Sequence, residues 1–138
     1  MIDEEAHELG KRAVACKGWR WMPGMLAMSW SDDLGTVRVY HPQTASRSPL
    51  VIHYGGNRWD MSMHGPYLPD LRDPCTLGGL LALVREAWGD PTIHLTCVDS
   101  LEAGQYDLGV RSVADKWSSD LLSDSEAEAL VAALEEAP

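Results

Sequence analysis

Five histidines and three cysteines are the side chains of this 138-residue sequence best suited to hold a metal or attack a substrate. His94 and Cys97 have an HxxC spacing, but TIHLTCV alternates like a strand, and residues three apart on a strand point to opposite faces. They do not chelate one ion. His53 and Asp60 flank the turn GGN between LVIHY and RWDMSMH. A Gly56-Asn57 loop sets His53 directly across from Asp60, whereas a Gly55-Gly56 loop sets it across from Arg58. Such a His and Asp pair can move a proton, yet no nucleophile accompanies it. His64 precedes GPYLPD, where Tyr67, Asp70 and Asp73 crowd near the start of a helix. Asp70, Asp73 and Asp32-Asp33 offer oxygen ligands to a divalent cation without the register of an EF-hand, and no phosphate loop or nucleophile elbow is present. Cys16 and Cys75 each have positive charge or a helix N-terminus nearby, surroundings that lower a thiol pKa, and Cys75 is the better placed. The plainer expectation for both is a small buried residue. No catalytic residue, metal or cofactor is assigned.

The other chemistry-bearing stretch is GWRWMPGM, residues 18–25. Trp19, Arg20, Trp21 and Met22 form either a recognition surface or a plug that closes the core. The sequence contains no phenylalanine, 6 tryptophans and 6 methionines, so bulky core volume must come from Trp, Met and Leu. Alternation places Trp19 and Trp21 on one side and Arg20 on the other. That favours the plug, while Trp and Arg remain the commonest interface anchors.

The elements that must position these residues follow from periodicity. IDEEAHELGKRAVAC sets Ile2, Ala6, Leu9, Ala13 and Cys16 at helical steps, with acids in the first turn and Lys11, Arg12 and Lys17 towards the other end. MLAMSW and TVRVYH flank SDDLG as one hairpin, and LVIHY and RWDMSMH flank GGN as a second, whose Leu50, Ile52, Tyr54, Trp59, Met61 and Met63 share a face. LPDLRDPCTLGGLLALVREAWGDP carries the strongest helix signal, with Asp73 as N-cap, Pro74 at the first position and Gly89-Pro91 as stop. Gly78-Gly79 inside it requires a close neighbour, since each glycine costs about 1 kcal/mol against alanine. TIHLTCV and YDLGVRSV make a final strand pair across the turn EAGQ. In SDSEAEALVAALEEAP, Ser123 and Glu126 have capping-box spacing, and Ala127, Leu130, Val131 and Leu134 form an apolar stripe. The expected fold is α+β, an antiparallel sheet of about six strands with three helices packed on it, in the order α-ββββ-α-ββ-α.

Length and composition bound the rest. A chain of this size buries roughly 70% of its unfolded surface and is expected to fold as a single domain, residues 1–138. With 45% hydrophobic residues, no long apolar run and no leader pattern at its start, it reads as soluble and cytoplasmic. Three cysteines without CxxC spacing imply reduced, mostly buried thiols. The net charge of −10 is uneven: residues 1–10 carry −4, residues 11–98 carry +2 and residues 99–138 carry −8. Such a surface repels nucleic-acid phosphate, so neither direct nucleic-acid binding nor membrane binding is expected.

The stretches GWRWMPGM, LPDLRDPCTLGGLLALVREAWGDP and SEAEALVAALEEAP resemble those of short uncharacterised bacteriophage and prophage proteins. The order of proline-aspartate helix entry, strands and an AEAL-type terminal helix is also similar to phage ABA sandwich domain proteins. The resemblance implies a compact α+β accessory protein and supplies no activity or site residues. The leading expectation is a non-enzymatic accessory protein that binds another protein through Trp19, Arg20, Trp21 and Met22. A second is an acidic inhibitor of a nucleic-acid-binding enzyme, of the anti-CRISPR or DNA-mimic type, in which the two acidic ends converge. A third is a small enzyme using His53 with Asp60, or Cys75. A homodimer that completes a sheet edge is compatible with each.

Overall fold

The computed structural model describes residues 1, 3–29, 36–40, 50–52, 58–60, 67–99, 106–113, 123 and 125–138. Among them three helices and seven strands run in the order α1 (Asp3–Ala15), β1 (Leu26–Ser29), β2 (Thr36–Tyr40), β3 (Leu50–Ile52), β4 (Arg58–Asp60), β5 (Tyr67–Pro69), α2 (Pro74–Trp88), β6 (His94–Asp99), β7 (Tyr106–Arg111) and α3 (Glu126–Glu135). The class is α+β, as the hairpin spacing predicts. A single sheet of about six strands is not shown among the described residues. The strands divide into β4-β3-β2-β1-β5 and a separate β6-β7 pair, all antiparallel. Among the described residues β2 pairs with β1 through Thr36–Arg38 and with β3 through Val39 and Tyr40. β5 has no clear sequence signal because it is three residues long and ends in Pro69, which suits an edge strand.

The second hairpin has a register that neither two-residue loop provides. Leu50 lies opposite Asp60, Val51 opposite Trp59 and Ile52 opposite Arg58, with residues 53–57 between the strands. The observed register lies one position from that of a Gly55-Gly56 loop and three from that of a Gly56-Asn57 loop, so Arg58 and Asp60 are taken by Ile52 and Leu50.

The helix caps follow from sequence with one correction. Asp73 caps α2 by accepting from Thr76 N, Pro74 opens the helix, and Gly89 ends it at φ +62°, a left-handed conformation that glycine adopts without strain. At α3 the cap is Ser125, whose side chain accepts from Glu128 N, two residues beyond the expected Ser123. Ser123 is drawn away by a backbone bridge to Leu108 of β7, exchanging N–H and C=O at 3.0 and 2.9 Å.

α3 is more than the one-stripe helix of the sequence pattern. Seven of its ten residues are buried: Ala127, Ala129, Leu130, Val131, Ala132, Ala133 and Leu134. It packs against α1, α2 and β7 at once, and its four alanines let neighbours approach on faces that a stripe of large residues leaves out. The main core joins these residues to Leu9 and Ala13 of α1, Leu80, Leu83 and Val84 of α2, Ile93, Val110, Met25 and Ala27. Met28 instead joins Ala6 of α1 and Leu68 of β5 in a second cluster, so β1 is covered on both sides. α1 reaches β5 closely because Gly10 has no side chain: a Cβ there would sit 3.2 Å from both Leu68 Cβ and Pro69 O.

The glycine pair in α2 separates into two cases. A Cβ on Gly79 would lie 2.6 Å from Met25 Cε and 3.2 Å from its Cγ, and Met25 is fully buried with little room to swing. A Cβ on Gly78 would meet nothing within 4 Å. Only one of the two has the close neighbour that the sequence requires. Gly78→Ala is expected to raise stability by up to about 1 kcal/mol through helix propensity. Gly79→Ala gains the same propensity but overpacks Met25 by about 1–3 kcal/mol. Urea unfolding of the pair checks this, and equal midpoints would contradict the Gly79–Met25 contact.

Candidate functional site

GWRWMPGM bridges the end of α1 and the start of β1, and it is hydrogen-bonded at both ends. Trp19 N donates to Cys16 O at 3.0 Å; Gly24 N donates to Val39 O at 2.7 Å, and Val39 N to Met25 O at 2.8 Å. Gly24 has φ +94°, which the Pro23-Gly24 turn needs and a larger residue rarely adopts. At the other end a Cβ on Gly18 would lie 3.2 Å from Leu134 Cδ1 and 3.3 Å from Ala87 Cβ, so the chain passes tightly over α3 and α2. Trp19, Trp21 and Met22 are half-buried and pack against the main core. The two indoles meet edge to face, with centroids 5.6 Å apart and planes at 77°, the arrangement their quadrupoles favour. Arg20 stays exposed and reaches Glu86 of α2 at 2.6 Å, holding that carboxyl below its ordinary pKa. The stretch is a plug on one side and an exposed surface on the other.

A second assembly lies where the chain ends meet. Arg12 of α1 makes a fork with Glu135, Nε to Oε1 and Nη2 to Oε2 both at 2.9 Å, and its Nη1 reaches Glu128 Oε1 at 2.9 Å. The hydrogen bonds from Arg12 hold the Glu135 carboxyl below its usual range, while Glu135 and then Glu128 raise the guanidinium pKa. Asp3, Glu4, Glu5 and Glu8 of α1 and Glu126, Glu128, Glu135 and Glu136 at α3 are all exposed. Within the two helices only Lys11 and Arg12 oppose them, and Lys11 is paired with Glu8 at 2.5 Å. An open groove of about 470 Å³ runs here, lined by Met1, Glu5, Glu8, Leu9, Arg12, Ser125 and Glu128.

The aspartates considered as oxygen ligands are used otherwise. Asp70 is buried, and Arg72 donates to it through Nε at 2.8 Å and Nη2 at 3.1 Å while reaching Asp3 at 2.5 Å through Nη1. Asp73 takes two bonds from Arg38, at 2.9 and 3.0 Å, besides those from Thr76 N and Oγ1. Burial opposes its ionisation, but the hydrogen bonds from Arg38 and Thr76 outweigh that and hold the carboxyl below its ordinary value. Neither aspartate has a carboxylate set aside for a cation, and no group of three metal-ligating side chains occurs among the described residues. Sequence spacing contains no sign of the Arg38–Asp73 and Arg72–Asp3 pairings, whose partners stand 35 and 69 positions apart, whereas Arg72 and Asp70 are close in sequence.

The remaining sequence candidates separate. His53 and His64 lie outside the described residues, as do Asp32 and Asp33; Asp60 ends β4 opposite Leu50. His94 and Cys97 are on β6, and His94 Nδ1 sits 3.1 Å from Thr92 O. All three cysteines are free, but Cys75 and Cys97 are exposed and only Cys16 is half-buried, contrary to the expectation of mostly buried thiols. Cys16 is also not activated: burial first, and Glu135 second, push its thiol up against the smaller opposing effect of Arg12. A cluster the sequence does not announce joins α2 to the β6-β7 pair. Asp90 accepts from Thr92 N at 2.8 Å, Thr92 Oγ1 at 2.6 Å and the buried hydroxyl of Ser112.

In comparison with known proteins, no family model matches the chain, and no curated protein or solved structure is significantly similar to it.

Two measurements check this geometry. Because the folded pKa of Asp73 is depressed, its contribution to stability is present above the unfolded value of about 3.9 and is lost as pH falls through the folded value. Asp73→Ala is therefore expected to cost about 1 kcal/mol or more at pH 7 and progressively less as acidification protonates the folded carboxyl. An unfolding free-energy gap that does not shrink on acidification would contradict the Arg38–Asp73 pairing. Alkylation at neutral pH, read by peptide mass, should label Cys75 and Cys97 at least about tenfold faster than Cys16. Equal rates would contradict the packing of Cys16.

Proposed function

We propose that this is a non-enzymatic accessory protein, of the phage or prophage kind its sequence resembles, that works by binding another protein. One observation carries the reading: Trp19, Trp21 and Met22 are half-buried on a stretch tied down at both ends, with Arg20 exposed beside them. Such anchors lose little conformational freedom on binding, because the core already fixes the indoles. The ion pair of Arg20 with Glu86 is solvent-exposed and therefore cheap to exchange for a partner's carboxylate.

A second reading, an acidic inhibitor that occupies a nucleic-acid site, draws support from the terminal helices. Their exposed carboxylates, far apart in sequence, lie on either side of one groove. A contact of that kind is electrostatic and weakens steeply with salt.

The two readings part in one experiment, a pull-down of the tagged chain from host lysate washed at low salt and at about 1 M salt, where the Debye length is about 3 Å. A partner that survives high salt and is weakened at least about tenfold by Trp21→Ala and by Arg20→Glu is the expected result. Thermal melting of both variants guards against misfolding, and Arg20→Glu changes an exposed side chain. A nucleic-acid enzyme retained only at low salt, and indifferent to these substitutions, would overturn the first reading in favour of the second.

A further inference from the structure

We draw no further inference here: the strongest candidate, the groove between α1 and α3 lined by Glu5, Glu8, Leu9, Arg12 and Glu128, is a cluster of carboxylates belonging to the acidic face already described, and nothing in the structure shows what covers it.

Discussion

The burial of α3 on nearly every side is the constraint on which the rest of this structure depends. A helix of ten residues with seven buried needs neighbours on several faces, and α1, α2 and β7 supply them. Alanine dominates its surface, so each neighbour approaches closely and the contacts come from backbone and short side chains as much as from Leu130 and Leu134. Trp88 of α2 reinforces the packing by donating its indole N–H to Ala133 O at 2.8 Å, which satisfies a carbonyl near the end of the helix. The same requirement brings α1 alongside, and the Arg12 fork to Glu135 and Glu128 ties the two helices together at their rim.

From this arrangement the two surface features of the molecule follow. Gly18 suits its place because the chain leaving α1 passes tightly over Leu134 and Ala87, where a Cβ would sit 3.2 and 3.3 Å from their side chains, and the stretch that crosses there is the one that carries the tryptophans. The indoles pack against the main core, and Arg20 is left outside. The acidic face has the same origin: a helix buried on most sides can carry charge only at its two ends and on its narrow outer edge, where Glu126, Glu128, Glu135 and Glu136 are exposed and Glu128 shares a groove with Glu5 and Glu8 of α1. Arg12 and Lys11 lessen the resulting repulsion without cancelling it.

Where local chemistry decides, the sequence is readable. The Asp73-Pro74 opening and Gly89 stop of α2 need only the residues themselves, and α1 is marked by its charge gradient and period. The caps fail at Ser123 because a distant strand claims its backbone, and Ser125 takes the role. Pattern reading ranks α3 as one-sided because alanines count for little on a stripe, although a helix rich in them is well suited to burial all round. The 53–57 connection turns on one residue of loop length, and glycine pairs do not fix that. The candidate site divides in the same way. The tryptophan stretch is visible as composition, and its anchoring by Gly18 and Gly24 reads as turns; the pairings Arg12–Glu135, Arg38–Asp73 and Arg72–Asp3 arise only when the fold brings elements together.

The central claim, that α3 is the keystone, is tested most directly by native-state hydrogen exchange. If the helix is held on all sides, the amides of Leu130, Val131 and Leu134 should exchange only through global unfolding, with protection equal to the free energy from denaturant unfolding. Their exchange through a cheaper local opening, while α1 and α2 stay protected, would show that the terminal helix is a dispensable addition and contradict the account.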